Sequence, residues 1–311
     1  MEWWLAMGSR LEGEAVEKAR EFCRDEYKDY LIYRRLAEYE RDPRLREILV
    51  RLSEEEYEHY LFWSRLIGED CKSSVSPWTI RLLRLSRRLL GLTFTLKFLE
   101  LHEKDVIEEY KRYLDNLSGE DREILERIIE DEETHESKLM SSINEAIVRY
   151  LSFVALGLAD AIVEITGVHA GFLGATKETL VAGIAGLIVG VSAAFSMAGA
   201  AYLQAKAEAV EDVLERTPGR SALVTGLSYI FSVVMLALPY FLTKHMAYAF
   251  AVSVVMAVGI VAGFTFYNSV LNESSFRREL AENLAILFGT AIVAYLFGDV
   301  IGRVFGLEHI L

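Results

Sequence analysis

Two Glu-x-x-His motifs carry the clearest chemistry in this chain. One is Glu56-Tyr57-Glu58-His59, and the other is Glu132-Glu133-Thr134-His135. On a helix, positions i and i+3 share a face, so each motif offers a carboxylate and an imidazole to the same point. One such motif arises readily by chance in a Glu-rich helix. Two, each on the second helix of a hairpin, arise by chance far less readily. Each hairpin also places a Glu on its first helix. Glu26 stands seven residues before Tyr33 and 30 before Glu56, and Glu103 stands seven before Tyr110 and 29 before Glu132. The Glu, Glu-x-x-His, Glu, Glu-x-x-His order is how a four-helix bundle holds two metal ions in its core. The candidate ligands are therefore Glu26, Glu56, His59, Glu103, Glu132 and His135, with Glu100 an extra candidate in poorer register. Oxygen and imidazole donors suit iron (as Fe2+ or Fe3+), Mn2+ or Zn2+ alike, and the pattern does not choose among them.

The elements that must position these residues read as four long helices. The first spans about 14–41. The second spans about 44–66 and is joined to the first by a short Asp42-Pro43 turn, which makes the two antiparallel neighbours. The third spans about 90–117, and the fourth starts near Gly119. Between the pairs lies SPWTIRLLRLSRRLL, residues 76–90, with Arg81, Arg84, Arg87 and Arg88 set among leucines. It reads either as a crossover helix between hairpins or as a basic amphipathic helix on an anionic membrane surface. No Pro or Gly falls between Gly119 and Gly157. The fourth helix is thus expected to run into the segment that follows, with a break near Asn144 as the alternative.

Composition changes sharply at about residue 148. Across the 311 residues the net charge is -13. Residues 1–148 hold 24 Lys+Arg and 34 Asp+Glu, or 24 − 34 = -10, and residues 149–311 hold 9 and 12, or 9 − 12 = -3. The expected domains are a charged soluble domain over 1–148 and a membrane domain over 149–311. The fold class is all-α, a four-helix bundle followed by five transmembrane helices. The apolar segments are roughly 150–173, 179–203, 221–243, 246–271 and 283–301, each near the ~20 residues that cross a bilayer. Pro239 lies inside the third and reads as a kink. The acidic balance argues against a nucleic-acid partner. Two cysteines, Cys23 and Cys71, exclude a disulfide scaffold, a zinc ribbon and a rubredoxin-type iron centre.

Loop charges set orientation. One side carries Arg149, Lys206, Arg216, Arg220, Arg277 and Arg278, and the other only Lys177, Lys244 and Arg303. The first side is expected to be cytoplasmic. That places a multi-pass protein in the plasma membrane with its N-terminal domain inside and its C-terminus outside. Within the first span lie Asp160, Glu164 and His169. Asp160 and Glu164 are four apart and share a helix face, where they can line a polar path. Met197 in the second span is either packing or a soft ligand for a transition metal. Glu208, Glu211, Asp212 and Glu215 follow the second span, as a cation-collecting mouth or a solvated helix end. Glycines such as Gly186 and Gly190 suit a tight bundle or a dimer interface.

With its six ligand positions, the stretch over about 14–148 resembles the rubrerythrin branch of the ferritin-like di-iron superfamily. Residues 157–171, GLADAIVEITGVHAG, and 196–208, SMAGAAYLQAKAE, resemble the vacuolar iron transporter family. That resemblance covers about 150–305 and implies that Asp160, Glu164 and Met197 fall on an ion pathway. The long Glu-rich cytoplasmic segment of the plant members is missing. The two halves together resemble the prokaryotic membrane-bound ferritin proteins, which implies iron export. The expected function is therefore export of Fe2+, with Mn2+ as a second cargo, by proton antiport through a homodimer, and the soluble domain captures or senses metal. No GxxxxGK[ST] motif offers nucleotide energy. The alternative is a membrane-tethered di-iron oxidoreductase, a peroxide scavenger or ferroxidase, with the spans as anchor.

Overall fold

The computed structural model describes residues 13–99, 101, 103–142, 146–176, 178–208 and 217–306; the side chains at 103, 104, 134–142 and 146–147 are outside that description. The chain divides into two compact units, Met1–Glu145 and Ala146–Leu311. No strand occurs among the described residues.

In the first unit, α1 (Glu14–Tyr39) and α2 (Pro43–Ile67) form the first hairpin. Asp42 makes the turn abrupt: its carboxylate accepts from the Arg44 N–H at 2.9 Å, and Pro43 occupies the first helical position. Gly68 ends α2 in the left-handed region with φ 70°, which a glycine adopts without a Cβ penalty. The crossover helix α3 (Pro77–Leu90) starts by the same rule, with Ser76 as cap and Pro77 first. Gly91, with φ 96°, separates it from α4 (Leu92–Leu99). Of the expected third helix, the described residues form α4 and α5 (Glu103–Tyr113), followed by a 3-10 turn at Leu114–Asn116, and residues 100 and 102 lie outside the described ones. The last helix, α6, covers Glu120–Ser142.

Two apolar clusters fill this unit. One joins Phe22, Trp63, Tyr110, Tyr113, Leu125 and Ile128. The other joins Ile32, Leu36, Leu49, Leu52, Leu83 and Leu96. In α1, Glu26 falls between Cys23 of the first cluster and Ile32 of the second. In α2, Glu56 and His59 fall between Leu52 and Tyr60. The candidate ligands therefore form a polar layer between two dry ones. Cys23 and Cys71 are joined in a disulfide with Cα atoms 6.0 Å apart. Two cysteines exclude a multi-bridge scaffold but not a single bond, which forms because the chain after α2 returns against α1.

The second unit opens with the short α7 (Ala146–Arg149). It continues with five helices long and apolar enough to cross a membrane: α8 (Leu151–Ala175), α9 (Thr179–Glu208), α10 (Pro218–Leu242), α11 (Met246–Asn272) and α12 (Phe276–Phe305). Length and hydropathy make the chain a multi-pass membrane protein. The expected uninterrupted run from the fourth helix is corrected at Tyr150, where φ -105° and ψ 9° break the helix between α7 and α8. Residues 143–145, including Asn144, lie outside the described ones.

Small residues set the packing of the spans. A Cβ on Gly186 would collide with the His169 ring, and one on Gly190 with Val233. Both glycines therefore serve contacts inside the bundle of one copy. Gly171 and Gly298 bring the backbones of α8 and α12 into direct contact. Pro239 sits inside α10 as expected, and one turn before it the Leu236 carbonyl accepts from the Ser253 hydroxyl at 2.9 Å.

Candidate metal centre

Helix period explains how the first unit assembles its site. Glu56 and His59 are one turn apart on α2, so both side chains leave the same face. Glu26 on α1 and Glu132 on α6 meet them from neighbouring helices. All four are buried, with 4 to 8% of their surface exposed. Each offers a donor atom, and those atoms lie within 4.8 Å of one another. His59 turns its Nδ1 toward all three carboxylates, at 2.8 Å from Glu132, 3.6 Å from Glu26 and 3.8 Å from Glu56.

Three carboxylates and one imidazole in a buried layer carry a charge that burial penalises. Burial and the nearby Glu132 charge push the Glu56 carboxyl well above the usual range. For His59, burial works downward but the contacts with Glu132, Glu26 and Glu56 outweigh it, so the imidazole is held well above its ordinary value of 6.5. Protons thus stand where a cation would otherwise balance the charge. This fits a metal: hard oxygen donors and one imidazole, convergent, and short of positive charge.

A cavity of about 190 Å³ opens beside the layer, lined among others by Glu26, Glu56, Glu132, Asp29, Tyr110 and Lys18. Two of these, Asp29 and Tyr110, are site residues that the sequence motifs do not single out. Asp29 stands one turn after Glu26, and burial followed by the charges of Glu26, Asp25 and Glu132 pushes its carboxyl up to about 8. Its signal is the i, i+3 spacing from Glu26. Tyr110 donates its hydroxyl to Glu26. In the sequence it serves only as a register mark; its repeat with Tyr33, each seven residues after a candidate ligand, is the available signal. The Tyr110 ring packs against Phe22 at 4.7 Å and Trp63 at 5.2 Å between centroids.

Four of the six expected ligands therefore come together. Glu103 lies in α5 and His135 in α6, but their side chains are outside the described residues, and Glu100 is outside them altogether.

Residues 14–143 match the family model described as Rubrerythrin. This stretch is a rubrerythrin-type, ferritin-like domain. A rubrerythrin domain implies a di-iron site, and the buried Glu/His layer is where it would be held. Among curated proteins and solved structures, none matches the chain. Behind the rubrerythrin domain follow the five apolar helices, so the chain is a metal-related membrane protein.

The membrane unit arranges its polar groups differently. Asp160 is exposed on α8, and Glu164, one turn later, is half-buried and accepts from the Tyr229 hydroxyl of α10. Met197 of α9 packs half-buried against the apolar cluster that includes Ala161, Ile165 and Tyr229. Glu208 is exposed and accepts from Gln204 at 3.0 Å. Glu211, Asp212 and Glu215 lie outside the described residues. His169 is wholly buried against the Tyr240 ring, 4.0 Å between centroids, a place that its position in the first span does not foretell.

Proposed function

We propose that this protein exports Fe2+, and Mn2+ as a second cargo, from the cytoplasm by exchange for protons, and that its rubrerythrin domain captures or senses the metal. The observation that carries the reading is Glu164, a carboxylate inside a membrane-length helix, held by Tyr229 from a second helix with Asp160 one turn away. A carboxylate at mid-membrane costs ~2.5–3.5 kcal/mol or more unless it meets a partner or a polar path. An anchor has no need of two. Asp160 is exposed on its own copy. In a homodimer a second copy faces it, and the pathway runs between the two with Met197 as its soft donor. In this proposal the segments 157–171 and 196–208 serve as the resemblance to vacuolar iron transporters implies, and Glu208, Glu211 and Glu215 form the cytoplasmic entrance.

Moving two charges out against an inside-negative potential costs roughly 4.6 kcal/mol per 100 mV. Proton entry supplies that energy, with Asp160 and Glu164 exchanging metal for protons. In the rubrerythrin domain, Glu26, Glu56, His59 and Glu132 hold metal, joined in this proposal by Glu103 and His135. Iron bound there supplies one-electron redox chemistry. The chain's own contribution is to bind, to exclude water by the Phe22–Trp63–Tyr110 packing, and to fix Glu26 through Tyr110.

The alternative, a tethered di-iron oxidoreductase, draws its support from the cavity beside the ligand layer, which is roomy enough for a small oxidant such as peroxide. Paired variants separate the two. Under the export reading, Asp160→Asn abolishes metal flux and leaves metal binding by the rubrerythrin domain unchanged, while Glu56→Ala/Glu132→Ala weakens flux without abolishing it. Under the alternative, Asp160→Asn changes nothing and the double variant removes all activity.

A further inference from the structure

Helix α3 has two apolar faces where a crossover helix needs one. Its inner face packs Leu83, 5% exposed, and Ile80 into the second core cluster. Arg87 belongs to this face too, donating from Nε to the buried Glu40 at 2.7 Å. These contacts fix the helix to the bundle. The outer face presents Trp78, Leu82, Leu85 and Leu89, which are 72, 68, 51 and 65% exposed. Their spacing of four, three and four residues keeps them in one stripe about opposite the inner face. Three further arginines, Arg81, Arg84 and Arg88, are exposed along one flank of the stripe. Arg81 lies over the Trp78 ring at 5.2 Å, and Arg84 lies over Tyr39 at 3.3 Å.

The charge around this face is unlike the rest of the unit. From Cys71 to Leu99 there is no Asp or Glu, in a domain of net charge -10. An acidic domain tethered to an anionic surface is repelled everywhere except over such a patch. The domain is covalently tethered to the membrane unit, whose first membrane-length helix begins at Leu151.

We infer that α3 is a membrane-surface docking helix: Trp78, Leu82, Leu85 and Leu89 enter the interface of an anionic bilayer, and Arg81, Arg84 and Arg88 meet its phosphate headgroups. An apolar stripe bordered by arginines and carrying a tryptophan is the pattern of helices that lie in that plane. The inference needs only that the spans sit in a bilayer, and it is independent of whether they carry metal.

The test uses the full chain in nanodiscs of neutral phosphatidylcholine or of a mixture with phosphatidylglycerol. Trp3 and Trp4 are replaced by Phe, which leaves the wholly buried Trp63 and the exposed Trp78. In the anionic discs brominated lipid quenches Trp78 and acrylamide access falls; in neutral discs both effects shrink. Each of Arg81→Ala, Arg84→Ala and Arg88→Ala lowers the bound-to-free ratio about fivefold, the equivalent of ~1 kcal/mol per arginine. Raising salt acts in the same direction. Leu82→Ser/Leu85→Ser does so through the apolar face, and an unchanged melting temperature shows that the bundle is intact. Equal behaviour in neutral and anionic discs overturns the inference. So does shielding from acrylamide without quenching by brominated lipid, which would mean that a second copy covers the face.

Discussion

The carboxylates of the rubrerythrin domain and those of the membrane unit differ in enclosure. Glu26, Glu56, His59 and Glu132 are all buried, they converge within 4.8 Å, and three helices bring them there. Asp160 and Glu164 come from one helix, and one of them is exposed. A closed set of donors binds tightly and releases slowly. An open pair suits a cargo that must leave again, which is what the proposed export requires. Under the proposed export, the same residue types would serve retention in one unit and passage in the other, and enclosure would separate the two.

The largest expected effect comes from removing two enclosed candidate ligands together. Glu56→Ala/His59→Ala is expected to weaken Mn2+ or Co2+ binding by on the order of 1,000-fold, beyond the ~10–100-fold that a single outer partner costs. Titration calorimetry on the full chain reads this. Asp160→Asn in the same assay leaves that tight binding unchanged, because the open pair contributes little to retention.

Next in size is the frame around the closed site. Cys23 stands one turn before Glu26, and the Cys23–Cys71 bond closes a 48-residue separation. Reducing it is expected to cost about 3–4 kcal/mol in the chain-entropy model. Thermal unfolding with and without reductant checks this, and metal flux through the cysteine-free membrane unit is expected to persist. Tyr110→Phe comes third. It removes the hydroxyl that Glu26 accepts and leaves the ring packing, so metal affinity falls about tenfold while the melting temperature of the metal-free protein holds.

The smallest effect is that of pH. Without metal, Glu56 and His59 hold protons more tightly in the folded than in the unfolded state. Their contribution to stability is then full below the unfolded values of 4.5 and 6.5 and is lost as pH rises through the higher folded values. Metal runs the opposite way, since it must displace those protons. Apparent affinity rises with pH by up to about tenfold per unit for each proton displaced. Melting curves across pH, with and without Mn2+, should slope in opposite directions; parallel slopes would mean that the carboxylates and the imidazole are not the ligands.

Much of this is legible in the sequence, for a physical reason. Residues on one helix face obey i, i+3 spacing, so Glu56 and His59 reveal their shared face by spacing alone, while the His135 side chain lies outside the described residues. Spans announce themselves by length and hydropathy. Helix caps are equally plain, and Pro43, Pro77 and Pro218 each open a helix. Contacts between distant segments are less visible. Nothing local says that Tyr110 reaches Glu26, that Cys71 returns to Cys23, or that Gly186 makes room for His169. The break at Tyr150 also escapes a sequence reading, because no proline marks it. For α3 the sequence leaves two readings open. The outward stripe of Trp78, Leu82, Leu85 and Leu89 becomes apparent only because Leu83 and Arg87 use the other face.

Flux in proteoliposomes decides between export and a tethered enzyme. Fe2+ or Mn2+ entry or exit is followed under an imposed pH gradient, with a pH dye inside the vesicles. Metal movement matched by opposing protons, abolished by Asp160→Asn and only weakened by Glu56→Ala/Glu132→Ala, is the predicted result. No flux of either metal under any gradient would contradict it and would transfer the function to the enclosed site of the rubrerythrin domain.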